Sequence, residues 1–151
     1  MIRKQLATVL AATVLAGGFV GLSAGAAHAS ARVNKCGSAY DFKWSWDITD
    51  NSSAAPVVGF IDIYYNSGNG YNCAIARGRD AAVTGQHEIY VAIRRSGTDG
   101  WIDDGAGSNY TQYAGPVYVY AKGSCIDFVG GLKYNEFTGQ GASSYKAQHC
   151  G

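Results

Sequence analysis

An all-β fold, a small antiparallel sandwich or barrel, follows from three features of the 151-residue sequence. Tyr, Val, Ile, Phe and Trp cluster in short runs, and Gly, Asn, Ser and Asp punctuate between them. Several of those runs alternate apolar and polar residues with a period of two, the mark of a half-buried strand. No segment beyond the N-terminus sustains a 3.6-residue apolar period bounded by helix caps. Six or seven short strands with frequent turns are expected.

The N-terminus is read first because it is set apart from the rest. Arg3 and Lys4 form a positive head, Leu6 to Val20 an apolar run, and Ala27-His28-Ala29 a small-x-small cleavage pattern. Residues 1–29 are therefore expected to be a secretory signal, with a single β domain over 30–151 working outside the cytoplasm. From Phe42 to Ile48, the residues Phe42, Trp44, Trp46 and Ile48 fall on one face and Lys43, Ser45 and Asp47 on the other. Asp50 to Ser53 is a loop. Val57 to Tyr65 and Tyr71 to Arg77 are strands joined by Asn66-Ser67-Gly68-Asn69-Gly70, whose Asn and Gly residues accept positive φ in a tight hairpin. Gly78 to Gly85 is a polar loop, and His87 to Arg94 is a strand with Ile89, Val91 and Ile93 facing inward.

Ser96 to Asn109, with four glycines, Trp101 and Asp103-Asp104, is expected to be an ordered loop. Tyr113 to Ala121 carries Val117 and Val119 on one face and Tyr118 and Tyr120 on the other. Lys122-Gly123-Ser124 turns the chain into Cys125 to Val129. The Gly-, Ser- and Gln-rich remainder, Gly130 to Gly151, holds at most a short strand at Ser144 to His149.

The 122 residues after the signal support one core burying roughly 65% of the unfolded surface. All four cysteines, Cys36, Cys73, Cys125 and Cys150, lie beyond the cleavage site, 37, 52 and 25 residues apart. Zinc ligands come in close pairs and no Cys-x-x-Cys exists, so disulfides are expected and no metal. Of the three possible pairings, the nearness of domain termini favours Cys36–Cys150 with Cys73–Cys125. Without Arg3 and Lys4 of the signal, ten of the twelve basic residues stand against eleven acidic ones and leave no basic stripe for nucleic acid. No later apolar run is long enough to span a membrane.

Chemistry is sparse. There is no Gly-x-Ser-x-Gly elbow, and His87 and His149 belong to no catalytic motif. Asp103 and Asp104 are adjacent, so on extended backbone they point apart and share no proton. Asp62, Asp127 and Glu88 are the other acids open to hydrolytic chemistry, which needs two carboxyls across a cleft. Alternation places Asp62 and Asp127 on the wet face of their strands; a buried position would demand hydrogen-bond partners. Asp99 to Gly105 offers oxygen ligands but not the order of an EF-hand loop. Neither catalytic residue nor cofactor is expected.

The aromatic residues are the functional candidates. All eleven Tyr and three Trp follow the signal, and their faces stack on sugar rings or on apolar patches of other proteins. Trp44 and Trp46 fit a core face. Tyr118 and Tyr120, opposite the valines, and Trp101 on its Gly-rich loop are the expected exposed anchors.

The stretch Asn109-Tyr-Thr-Gln-Tyr-Ala-Gly-Pro-Val-Tyr-Val-Tyr-Ala121, followed by Gly123 and Cys125-Ile-Asp127, resembles the spore-associated protein A family, small secreted proteins of filamentous actinobacteria. Asn66 to Cys73 and Cys36-Gly-Ser-Ala-Tyr40 share the resemblance, whereas Phe128-Val129 stands where the family pattern has Trp-Gly. The resemblance implies export and association with spores or aerial growth, and brings no catalytic residue. The expected function is thus a secreted, non-enzymatic protein of the spore or cell surface, binding wall polysaccharide or protein through exposed aromatics. The alternatives are an inhibitor of an extracellular hydrolase acting through Ser96–Asn109 and, ranked last, a small wall-polymer hydrolase.

Overall fold

The computed structural model describes residues 32, 34–79, 86–134 and 139–151. The expected signal, its cleavage point before Ser30 and most of the Gly78–Gly85 loop lie outside the described residues. The fold is all-β, as expected. Among the described residues there are eight strands: β1 (Asp41–Thr49), β2 (Val57–Asn66), β3 (Tyr71–Gly78), β4 (His87–Arg95), β5 (Ile102–Asp104), β6 (Tyr113–Tyr120), β7 (Ile126–Tyr134) and β8 (Gly139–Gln148). They form two four-stranded antiparallel sheets, β1-β2-β3-β6 and β5-β4-β7-β8, packed face to face as a sandwich.

The alternation read from the sequence supplies the core. Ile61 and Ile63 of β2, Ala74 and Ala76 of β3 and Val117 of β6 point from one sheet. Ile89, Val91 and Ile93 of β4 and Phe128 and Leu132 of β7 meet them from the other. Each large side chain buried this way contributes roughly 1.5–3 kcal/mol. At one edge Trp46 closes the core, its ring 5.8 Å from Phe128 and 4.7 Å from Tyr145.

Four expectations about the strands change. The register of β1 shifts between Phe42 and Trp44. This bulge turns Phe42 to the outer face beside Tyr64, with ring centroids 5.7 Å apart, and breaks the four-residue face. Trp44 keeps the inner side but sits at the open end of the sandwich and is 51% exposed, so of the two tryptophans only Trp46 packs on the core. The Ser96–Asn109 segment includes β5, paired to β4 through Ile93↔Ile102.

The Gly-rich tail is mostly strand: β7 runs on to Tyr134 and β8 takes up Gly139–Gln148. Gly130, Gly131 and Gly141 in it are needed for close approach. A Cβ on Gly130 would sit 2.8 Å from the Ile61 side chain of the facing sheet, and one on Gly131 2.5 Å from the Tyr90 ring.

The cysteines pair as Cys36–Cys73 and Cys125–Cys150, not as the nearness of termini suggested. The segment that carries Cys36 is bonded to the first sheet and the one that carries Cys150 to the second. The segment before β1 lies across the outside of the first sheet, over β3. The antiparallel β7–β8 pair brings the end of β8 beside the start of β7, so Cys150 meets Cys125.

Candidate binding surface

The outer face of the first sheet carries a cluster of tyrosines. Directly opposed on β3 and β6, Tyr71 and Tyr120 hold their rings 5.6 Å apart, edge to face. They are 40% and 51% exposed, and neither hydroxyl is hydrogen-bonded among the described residues. Gly70 makes this possible. Its φ of +76° closes the β2–β3 hairpin, and a Cβ there would lie 2.9 Å from the Tyr120 ring and 2.7 Å from Lys122 Cβ. The hairpin is further fixed by Asn66 and Asn69, whose side-chain oxygens accept from the N–H groups of Gly68 and Tyr71.

Next to this pair the segment before β1 adds a second one. Asn34 Oδ1 accepts from Cys36 N–H at 3.0 Å while its amide donates to the Gly37 carbonyl at 3.3 Å, shaping a turn. The Cys36–Cys73 disulfide clamps that turn to β3. Tyr40 is thereby set 5.5 Å from Tyr118, ring to ring. The Tyr118 hydroxyl donates to the Cys36 carbonyl at 3.2 Å, and burial, with Tyr40 beside it, raises the phenol above its ordinary pKa. Tyr40, Tyr71, Tyr118, Cys36 and Asn69 line a shallow, open depression. Of the two tyrosines expected to be exposed, Tyr120 is, whereas Tyr118 is a half-buried floor. Tyr71 was not singled out from the sequence, although the hairpin signal before it sets it opposite Tyr120.

Trp101 belongs elsewhere. It lies over the Arg94 guanidinium, 4.5 Å from ring centroid to Cζ, on the outside of the second sheet, and is 39% exposed. The three expected anchors therefore do not form one surface. Arg94 is itself fixed by Asp127, so the indole rests on a held cation.

The expectation that Asp62 and Asp127 face water is corrected: both carboxylates are buried. They do lie on the outer faces, as alternation requires, but partners from neighbouring strands cover them. Asp62 accepts from Arg77 Nε at 2.7 Å and from Ser45 Oγ, with Arg32 Nε 3.8 Å away. Asp127 accepts from Arg94 Nε at 2.9 Å, Ser96 Oγ at 2.5 Å and the Ala147 N–H at 2.9 Å. The last donor is freed by the β7–β8 register shift, where Ala147 has a φ of +50°. Burial pushes the Asp127 pKa up, but Ser96, Ala147 and Arg94 together hold it below the ordinary aspartate range.

Asp104 is also bound internally, accepting from Gly115 N–H at 2.8 Å and from the Tyr110 hydroxyl at 3.2 Å, so it staples the loop before β6. Asp62 and Asp127 occupy opposite outer faces, and Glu88 pairs with Lys133 at 2.6 Å. Among the described residues no three His, Cys, Asp or Glu side chains gather as a metal site. His149 is set between the rings of Trp44 and Tyr65, each 5.2 Å away, with Nδ1 2.7 Å from Asn72 Oδ1.

No protein-family model matches the chain. No solved structure matches it. Among curated proteins it is similar to Spore-associated protein A of Streptomyces coelicolor, 34% identical over 111 residues. The match covers 72% of this chain but 65% of that relative, so the chain spans slightly less than two thirds of the relative's length. This likeness supports the resemblance carried by the Tyr-Ala-Gly-Pro-Val-Tyr-Val strand, and the chain is a relative of Spore-associated protein A by sequence.

Proposed function

We propose that the protein is exported, is released from its signal before Ser30, and acts without catalysis as a binding protein of the spore or cell surface. Contact with wall polysaccharide or wall protein runs through exposed aromatics. Tyr71 and Tyr120 form its centre, Tyr118 and Tyr40 its floor, and Trp101 is a separate anchor on the opposite sheet. The observation that carries this is the Tyr71–Tyr120 pair: two half-exposed rings whose hydroxyls have no partner among the described residues, held side by side on paired strands and backed by a disulfide-clamped segment. Rings already ordered on a rigid sheet lose little entropy on binding, which favours recognition through them. The name of the similar Streptomyces protein supports the location.

The bonding of the acids supports a non-enzymatic role. Asp62, Asp104 and Asp127 are each engaged in structural hydrogen bonds, and Asp127 is held ionised rather than poised as an acid.

The test is a quantitative sedimentation of the oxidised protein, from Ser30 onward, with purified spore walls. Saturable binding weakened in a folded Tyr71→Ala/Tyr120→Ala variant is the expected result. Non-saturable binding, or saturable binding that the variant retains in full, would refute the role given to this surface.

A further inference from the structure

The outer face of the second sheet carries a groove that neither the tyrosine cluster nor Trp101 uses. Its floor is a single row across three strands, since Tyr90 of β4 pairs with Gly131 of β7, and Gly131 with Ala142 of β8. With no side chain on Gly131, the Tyr90 ring covers bare backbone. A Cβ on Gly131 would lie 2.5 Å from its Cε1 and 2.8 Å from its Cζ. One side of the ring is thus packed on the strand while the residue also lines an open depression of about 350 Å³.

The next row along the same face supplies polar groups. Lys133 pairs with Gln140 across β7 and β8, and Lys133 Nζ is 2.6 Å from Glu88 Oε2. Glu88 adopts a φ of +50°, a conformation non-glycine residues seldom hold, within the β4 register shift. Asn51 reaches the groove from the β1–β2 loop, its N–H donating to the Gln140 carbonyl at 3.1 Å. The side-chain amides of Asn51 and Gln140 have no partner among the described residues.

We infer that this groove binds a segment of neutral pyranose polysaccharide, with one sugar ring stacked on Tyr90 and its hydroxyls bonded by Glu88, Lys133, Gln140 and Asn51. The chemistry selects that class. A supported aromatic ring suits the C–H face of a pyranose. Carboxylate, ammonium and amide groups together offer donors and acceptors to vicinal hydroxyls. Glu88 and Lys133 neutralise each other, so the described lining of the groove carries no net charge to attract a polyanion or polycation. The choice of a wall sugar rests on the surface-binding role proposed above, but the residues are different ones, so the two fail separately.

The probes are β-linked glucose and N-acetylglucosamine tetrasaccharides, titrated into the oxidised protein by NMR and calorimetry. The inference predicts shifts confined to Asn51, Glu88, Tyr90, Gly131, Lys133, Gln140 and Ala142, and about tenfold weaker binding for Tyr90→Ala. Tyr90→Phe, which keeps the ring and its packing on Gly131, should bind within a few-fold of wild type. Tyr71→Ala/Tyr120→Ala should bind the tetrasaccharides unchanged. Absence of binding by both sugars, shifts confined to the Tyr71–Tyr120 surface, or full retention of affinity by Tyr90→Ala would each overturn the inference. Wall sedimentation by the Tyr71→Ala/Tyr120→Ala variant then judges the other surface independently.

Discussion

Replacing Asp127 by Ala probes how the second sheet is held. The carboxylate is 5% exposed and takes three donors from three places: Arg94 on β4, Ser96 beyond it, and the backbone of Ala147 in β8. Removing one partner of a buried ion pair costs about 3–5 kcal/mol, because the other charge is left in a poor solvent. The Arg94 side chain is 21% exposed and keeps its contact with Trp101, so it regains water in part. That places the loss near the lower bound, about 3 kcal/mol, or roughly 10 °C in Tm for a domain of this size. Urea unfolding with the disulfides intact, followed by tryptophan fluorescence and circular dichroism, measures it. Asp103→Asn is the control, since Asp103 is exposed and should move stability by less than about 0.5 kcal/mol.

The effect should also depend on pH. Because Asp127 has a depressed pKa in the folded state, its stabilisation is complete above the unfolded aspartate value of about 3.9 and is lost as pH falls through the lower folded value. The gap between wild type and Asp127→Asn should therefore be constant near neutrality and close in acid. Equal urea midpoints for Asp127→Ala and Asp103→Asn at neutral pH would refute the reasoning.

Three further outcomes are expected. Replacing Cys36 and Cys73 together by Ala should cost about 4 kcal/mol from loop closure over their separation of 37 residues; limited proteolysis should then cut before β1, and intact 34–40 would contradict the clamp. Gly70→Ala meets a φ of +76° and contacts under 3 Å with Lys122 and Tyr120, so it should lose about 1–2 kcal/mol and broaden the Tyr120 resonances. Gly131→Val drives a side chain into the Tyr90 ring and the Gly141 carbonyl; a loss of about 1–3 kcal/mol by urea unfolding is expected, and a neutral result would mean the ring does not rest there.

Strand alternation was legible wherever one face meets the core: it placed Ile61 and Ile63 together on the inner side and set Val117 and Tyr118 on opposite sides. It failed at Phe42, because a bulge changes the face without changing the apolar pattern. It also failed along Gly130-Gly131, where the residues that use the empty space, Ile61 and Tyr90, come from other strands. Asp62 and Asp127 were assigned to the right faces but to the wrong environment, since what buries them is tertiary: Arg77 and Arg94 lie 15 and 33 residues away in sequence. The disulfides were legible as a pair of bonds, not as a pairing. Of the candidate surface, Tyr118 and Tyr120 were visible from alternation. Tyr40 was not, because only the Cys36–Cys73 bond brings it there, and Trp101 proved to belong to the other sheet.

The most direct test of the Tyr71–Tyr120 surface is a tyrosine footprint of the protein bound to spore walls. Iodination would be quantified at each tyrosine by mass spectrometry, free and bound. Protection of Tyr71 and Tyr120 is expected, with Tyr110, which is 40% exposed beside Asp104, labelled equally in both states. Unchanged labelling of Tyr71 and Tyr120 under saturating wall, or protection confined to Tyr110, would contradict binding through this face.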